Sequence, residues 1–307
     1  MSVYSYWAYG LRIDAEIMCP ELPPASPNMG EADVVIHLLP GLSKILETQD
    51  NLSYEVLPGL FNLVVKDVGK YRVEEGKHIF IEPFADASED KIRLFLLGST
   101  MGALLYQRGL FPLHGSAIET PWGAMIFVGA QGAGKSTLGA EFHSRGYRLL
   151  SDDVCAVSAT SEGLQILPAL AQFRLCSDAY ERLGSPNNAR FDVDKFVVPM
   201  GKGYCPHPVP LRAIHILGDH EQAEPLYGVL RGFDRVQRLL ENLYRPHYLK
   251  GQKTQSDQLR LAGQIAQQAE MVSVLRRRDT GAIGSLVQFL ESTWAARFAK
   301  MAVEEKN

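Results

Sequence analysis

The spacing of apolar residues changes along the chain, and each change marks a different kind of element. Up to about residue 87 the pattern is strand-like. Residues 33–39 form a β-branched, apolar run that stops at Pro40. Tyr71 and Val73, then Ile79 and Ile81, alternate with more polar positions on either side of Glu75-Gly76, which predicts a hairpin. Pro20, Pro23, Pro24 and Pro27 predict a stiff connection without regular structure. Tyr4, Tyr6, Trp7 and Tyr9 read as a packed sheet face, with a docking surface as the alternative.

The period then becomes helical. Over residues 88–108, Ser88 can cap, Glu89 and Asp90 suit the positive end, and Arg108-Gly109 suits the close. Ile92, Phe95, Leu96, Met101, Leu104 and Leu105 give this helix a broad apolar face, so it is expected to be buried. Strands are predicted at 113–119 and 124–128, a helix at 136–145 closed by Gly146, and a strand at 147–150. Runs at 154–159 and 164–167 flank a turn and predict a hairpin. A strand at 173–176 leads to a helix capped by Ser177 that ends before Gly184. Residues 185–210, rich in Pro and Gly, are expected to be a long irregular segment. Strands at 211–217 and 271–275, helices at 233–244 and 255–268, and a last helix capped by Asp279 complete the pattern. The expected class is α/β: a β-rich unit over 1–87, then a mixed unit over 88–307.

Composition narrows the function class. The 307 residues are 46% hydrophobic and 21% charged, as in an ordinary globular protein. A net charge of −4 gives no support for a nucleic-acid partner or an anionic-membrane surface. No secretory signal pattern and no membrane-spanning stretch is read, so a cytoplasmic protein is expected. Cys19, Cys155, Cys176 and Cys205 are dispersed, with no C-x-x-C pair and no histidine at metal-ligand spacing, so four reduced thiols are expected.

The chemistry concentrates in residues 124–153. Gly129, Ala130, Gln131, Gly132, Ala133, Gly134, Lys135 and Ser136, followed by Thr137, fill the G-x-x-x-x-G-K-[ST] template of a P-loop. The template requires a strand before it and a helix after it, and the pattern supplies both. Such a loop turns successive N–H groups toward a phosphate at the positive end of a helix. Lys135 is then expected to reach the terminal phosphates of ATP, and the Ser136 hydroxyl to ligate Mg²⁺. Asp152 and Asp153 are expected at the carboxyl end of the next strand, facing the ligand crevice. One can hold Mg²⁺ and the other can take a proton from an attacking hydroxyl; the residues do not say which does which. His114 reads either as a structural histidine or as a partner of that pair. Lys195, Arg231 and Arg245 are candidate cations for the γ-phosphate, against the reading of ordinary surface charges.

Leu113-His114-Gly115, the loop from Gly129 to Thr137, and Arg145-Gly146 followed by Ser151-Asp152-Asp153 together resemble the catalytic domain of HPr kinase/phosphorylase. The resemblance covers about residues 110–157. It implies an ATP- and Mg²⁺-dependent serine kinase acting on a peptide or small protein, with His114, Lys135, Asp152 and Asp153 catalytic, and it is compatible with a homo-oligomer. Residues 167–176 lack an acidic side chain where that family carries a metal-binding glutamate, so the resemblance leaves open whether the reverse, phosphorylase reaction occurs. Tyr71-Arg72-Val73, Arg108-Gly109, Phe173-Arg174-Leu175 and Tyr244-Arg245-Pro246 are similar to a shorter group of HPr-kinase-like proteins. Some of these are encoded beside lasso-peptide genes and phosphorylate a serine of the precursor peptide. A small-molecule kinase for free serine or a sugar, and a nucleotide-gated binding module without catalysis, are the alternatives.

Overall fold

The structure is a computed structural model and describes residues 2–26, 30–42, 50–192, 195–250, 255–277 and 283–304, with side chains to residue 298. Seven strands come first: β1 (Tyr4–Ala8), β2 (Leu11–Ala15), β3 (Val34–Leu38), β4 (Leu52–Leu57), β5 (Leu60–Val65), β6 (Gly69–Glu74) and β7 (His78–Pro83). They form one mixed sheet in the order β1-β2-β3-β7-β6-β5-β4. The β1–β2 hairpin turns on Tyr9 (φ 56°) and Gly10 (φ 69°), the two left-handed residues a tight hairpin turn demands. Alternation then decides the faces: Leu11, Ile13 and Ala15 point inward, as do Tyr71 and Val73. Tyr6 and Tyr9 are buried and Tyr4 is exposed, so the N-terminal aromatics are mainly core. The predicted hairpin at Glu75-Gly76 is present, with both residues left-handed.

A helical rod follows, α1 (Glu89–Phe95), a π-helical turn (Leu96–Thr100) and α2 (Met101–Gln107). Ser88 caps it by accepting from the Lys91 N–H at 3.4 Å. Leu96, Met101, Leu104 and Leu105 are wholly buried, and Tyr71 of β6 donates from its hydroxyl to the Ile92 carbonyl at 3.1 Å. The rod therefore lies against the first sheet on one side and the following strands on the other.

The rest of the chain comprises β8 (Phe111–Thr120), β9 (Gly123–Gly129), α3 (Lys135–Ser144), β10 (Arg148–Thr160), β11 (Gly163–Leu167), β12 (Gln172–Leu175) and α4 (Ser177–Arg182). It continues with β13 (Arg190–Asp192), β14 (Lys195–Pro199), β15 (Val209–Asp219), β16 (Leu226–Val229), α5 (Phe233–Glu241), α6 (Gln255–Gln268), β17 (Glu270–Arg276) and α7 (Ile283–Glu304). The main sheet runs β11-β10-β8-β9-β15-β17-β16. Strands β9, β15 and β17 are parallel neighbours, while β8 runs against both β9 and β10. An additional β11–β15 pairing curls one end of the sheet back on itself. One face joins the helical rod, α6 and the first sheet in a single apolar cluster. The other is covered by α3 and α7, where Phe127, Phe142 and Trp294 stack with ring centroids 5.0–6.3 Å apart.

Three expectations are corrected. The strands predicted at 147–150 and 154–159 are one strand, β10, so Asp152 and Asp153 lie inside a strand and not at its carboxyl end. Residues 185–210 are not irregular throughout: β14 pairs with β12 and β13 with β14 in a three-stranded sheet, and Val209-Pro210 begin β15. Ser177 is the first residue of α4, whose cap is Cys176. The expected roles of Pro27 and Asp279 fall outside the described residues.

Candidate active site

Strand β9 brings the loop into place. Ala124 to Val128 are buried between β8 and β15, as their unbroken apolar character requires. At Gly129 (φ 147°) a Cβ would come within 2.7 Å of the Leu217 carbonyl oxygen, so the turn out of the sheet needs glycine. Ala130, Gln131 and Gly132 are exposed, Ala133 is buried, and α3 starts after Gly134 (φ 87°). Lys135 folds back over the loop and donates from Nζ to the carbonyls of Gly129 (3.0 Å) and Ala130 (3.2 Å). Burial lowers its pKa, while the charges of Asp152 and Asp153 work to raise it. Ser136 and Thr137 occupy the first turn of α3, at its positive end.

The two carboxylates reach the same place through an irregular stretch of β10. Its register against β8 shifts between Leu149 and Ser151, and Asp153 takes φ 75°, inside a strand and without being glycine. The Ser151 hydroxyl closes the kink by donating to the Val154 carbonyl at 2.5 Å. Adjacent strand residues ordinarily face opposite sides. Here both carboxylates line one cleft, and both bear on Lys135.

Their surroundings differ. Asp152 is 3% exposed and accepts the Arg174 N–H on Oδ2 at 2.9 Å. Burial raises its pKa and the Asp153 charge adds to that; the Arg174 amide and the nearby hydroxyls of Ser136 and Ser116 oppose it. Asp152 Oδ1 and the Ser116 hydroxyl are both buried without a hydrogen-bond partner. Two unpartnered oxygens beside the Ser136 hydroxyl make a hard, oxygen-only donor set, which fits Mg²⁺.

Asp153 belongs to His114. The imidazole Nδ1 is 3.0 Å from the Asp153 carbonyl oxygen and 3.3 Å from Oδ1. A carbonyl oxygen only accepts, so Nδ1 carries the hydrogen. Burial acts to raise the Asp153 pKa, but the His114 bond and the charges of His114, Lys195 and Arg174 outweigh it and hold the carboxyl below its ordinary value. The Tyr244 ring lies 6.0 Å from His114, and Arg245, left-handed at φ 49°, stacks over Tyr244 at 5.5 Å.

Of the three candidate cations, Lys195 and Arg245 bear on Asp153, whereas Arg231 makes no described contact with the site. Arg276 was not singled out by sequence, and Arg174 only within the Phe173-Arg174-Leu175 resemblance, without a role at the site. Arg174 was hidden because β12 approaches β10 only in the folded sheet. Arg276 ends β17 and donates from Nη2 to the Ala133 carbonyl at 3.3 Å, and a Cβ on Gly134 would sit 2.8 Å from that nitrogen. A cation just after a strand parallel to β9 was visible in the chain; the strand order that puts it on the loop was not.

The cleft over the carboxylates is walled by α1 and by Glu21, Arg174 and Arg190. Its rim is a charge quartet: Arg93 Nε meets Glu21 Oε1 at 3.1 Å, Arg190 Nη1 meets Asp90 Oδ1 at 3.2 Å, and two closer contacts join Arg93 to Asp90 and Arg190 to Glu21. These pairs tie the N-terminal segment, the rod and the three-stranded sheet together around the entrance. No helix among the described residues is long and apolar enough to cross a membrane.

No family model matches the chain, and no curated protein matches it. Among solved structures it is similar to the Hpr(Ser) kinase/phosphatase from Coxiella burnetii, at 14% identity and a TM-score of 0.32, over 61% of this chain and 98% of that one. A likeness that distant says nothing by itself about activity.

Proposed function

We propose that this site transfers the γ-phosphoryl group of ATP to a serine hydroxyl of a peptide or small protein, a lasso-type precursor peptide being one candidate acceptor. In this reading residues 88–307 are the kinase unit and residues 1–87 a β-rich unit beside its entrance, in a cytoplasmic protein compatible with a homo-oligomer. The observation that carries it is the division of labour between adjacent carboxylates. Asp152 has a buried, unpartnered oxygen beside Ser116 and Ser136, at the start of the loop helix. Asp153 is oriented by His114.

The residues would act as follows. Loop N–H groups and the positive end of α3 hold the triphosphate. Lys135 Nζ exchanges the carbonyls of Gly129 and Ala130 for phosphate oxygens. Ser136 and Asp152 would hold Mg²⁺, which when bound supplies charge neutralisation at the phosphates. The serine enters through the cleft. Its oxygen forms the new P–O bond as the bond from γ-phosphorus to the bridging oxygen of ADP breaks, and its proton passes to Asp153 Oδ2. His114 fixes that carboxylate through Nδ1 and leaves Oδ2 for the hydroxyl. Lys195 and Arg245 stabilise the negative charge on the transferring group.

Lys135→Ala should lose nucleotide binding in calorimetry, whereas Asp153→Asn should bind nucleotide and lose transfer by about 10²–10⁴-fold. Asp153→Asn with full turnover would remove Asp153 as the base. Turnover of free serine or a sugar without any peptide would replace the acceptor class.

A further inference from the structure

A second cluster of chemically active side chains lies at the other end of the sheet. Glu119 is near the end of β8, where it pairs with Ala124 at the start of β9, remote from the loop that follows Gly129. Beside it the segment leading into β15 brings Cys205 and His207. The segment is firmly seated. Cys205 N donates to the Leu149 carbonyl at 2.8 Å, and the Tyr204 hydroxyl donates to the Ala169 carbonyl at 2.9 Å.

The distances are those of a coordination shell. Cys205 Sγ is 3.6 Å from His207 Nε2, and His207 Nε2 is 3.6 Å from Glu119 Oε1. All three ligand atoms lie within 4.8 Å of one another. A tetrahedral ion with ligand bonds of about 2.0–2.3 Å sets its ligands about 3.3–3.8 Å apart. The His207–Glu119 pair is too long for a nitrogen–oxygen hydrogen bond, while Cys205 Sγ is within sulfur hydrogen-bonding range of both His207 Nε2 and the His207 carbonyl, each at 3.6 Å, so the three side chains are already gathered at the spacing an ion would need.

Arg148 supports the same arrangement. Its Nε and Nη2 both take Glu119 Oε2 at 2.5 Å, which turns Oε1 toward His207. A ligating carboxylate whose second oxygen is held by a neighbouring donor is the usual outer-shell pattern of metal sites. The donor set selects the ion. Thiolate, imidazole and carboxylate together suit borderline-soft Zn²⁺, and the thiolate disfavours Mg²⁺ or Ca²⁺. Two anionic ligands and one neutral ligand cancel the charge of a divalent ion.

The geometry points to a Zn²⁺ site formed by Glu119, Cys205 and His207, with solvent water as fourth ligand, that fastens the segment before β15 to the sheet. Cys205 and His207 are only two residues apart, but the third ligand comes from far earlier in the chain. That is why spacing alone gave no metal site.

Co²⁺ is the probe, because a thiolate ligand produces a sulfur-to-metal charge-transfer band that the oxygen-only set at Ser136 and Asp152 cannot give. The full chain, stripped of metal and kept reduced, is titrated with Co²⁺ and then back-titrated with Zn²⁺. One Co²⁺ per chain with the charge-transfer band, displaced by Zn²⁺, is expected. Cys205→Ser should abolish the band, His207→Ala and Glu119→Gln should weaken binding at least tenfold, and Cys155→Ser should leave it unchanged. Zn²⁺ should raise the Tm of the wild type and not that of Cys205→Ser. Absence of the band at saturating Co²⁺, or its survival in Cys205→Ser, would overturn the site. Neither readout involves nucleotide, so the result is independent of the kinase reading.

Discussion

Replacing Asp152 with Asn should make the nucleotide-free protein more stable while removing its activity. Asp152 is buried, one of its oxygens has no partner, and the Asp153 charge is its neighbour. Asn keeps the acceptor that takes the Arg174 N–H. Its amide nitrogen replaces the unpartnered oxygen and faces the equally unpartnered Ser116 hydroxyl. Relieving a buried, unpaired polar group is worth about 1–3 kcal/mol. For a chain of this length that raises the Tm by about 1.5–5 °C. The pH dependence carries the sign. The folded pKa of Asp152 is raised, so its contribution to stability is present below the ordinary carboxylate value and is lost as pH rises through the folded value. The Tm advantage of Asp152→Asn should therefore be small in acid and grow toward neutral pH. Saturating Mg²⁺-ATP should reverse the order, because a ligand at about 100 times its Kd stabilises the wild type by about 2.7 kcal/mol and the variant has lost one of the two proposed Mg²⁺ ligands. Differential scanning fluorimetry at several pH values, with and without Mg²⁺-ATP, reads all of this. A variant less stable than wild type at neutral pH without ligand would refute the unpaired-carboxylate reasoning. Undiminished turnover would refute the role of Asp152.

Other perturbations separate packing from chemistry. A Cβ on Gly139 would lie 2.4 Å from the Ser116 hydroxyl and 3.2 Å from the Phe173 ring, so Gly139→Ala should cost about 1–3 kcal/mol in denaturant unfolding. It should lower activity too, because it pushes α3 off β8 at Ser116, the residue paired with Asp152 of β10. Gly263 lies inside α6 with nothing within 4 Å of a Cβ, and Gly263→Ala should stabilise by about 0.5–1 kcal/mol with activity unchanged. The pKa of Asp153 is lowered, so its contribution to stability is present above the ordinary carboxylate value and is lost as pH falls through the folded value. His114→Gln should make acid unfolding begin at higher pH. If that variant instead removes the acid limb of the transfer rate with acid stability unmoved, His114 and not Asp153 is the base.

Strong local signals in the sequence survived folding. The loop from Gly129 to Ser136 sits between a buried strand and a helix, and the rod from Glu89 to Gln107 is capped by Ser88 and buried, as its pattern requires. What failed depends on partners far along the chain. Pro and Gly between residues 185 and 210 read as irregular, yet β14 finds a ladder on β12, a pairing no local pattern reveals. Asp152-Asp153 looked like the end of a strand because two charges interrupt an apolar run. In the fold β8 pairs across them, and the break is absorbed as a kink at Asp153. Arg174, Ser116 and Glu119 acquire roles only from neighbours that strand order supplies.

The central claim is transfer of a phosphoryl group to a serine at the His114–Asp153 pair. It is tested most directly by a single turnover with γ-labelled ATP, Mg²⁺ and a serine-containing peptide, beside the same peptide with alanine in place of serine. The predicted result is label on the serine peptide only, added phosphate in its mass, and loss of both in Asp153→Asn while nucleotide affinity holds. Tight nucleotide binding with no label leaving ATP for any hydroxyl acceptor would contradict it and make the chain a nucleotide-binding module.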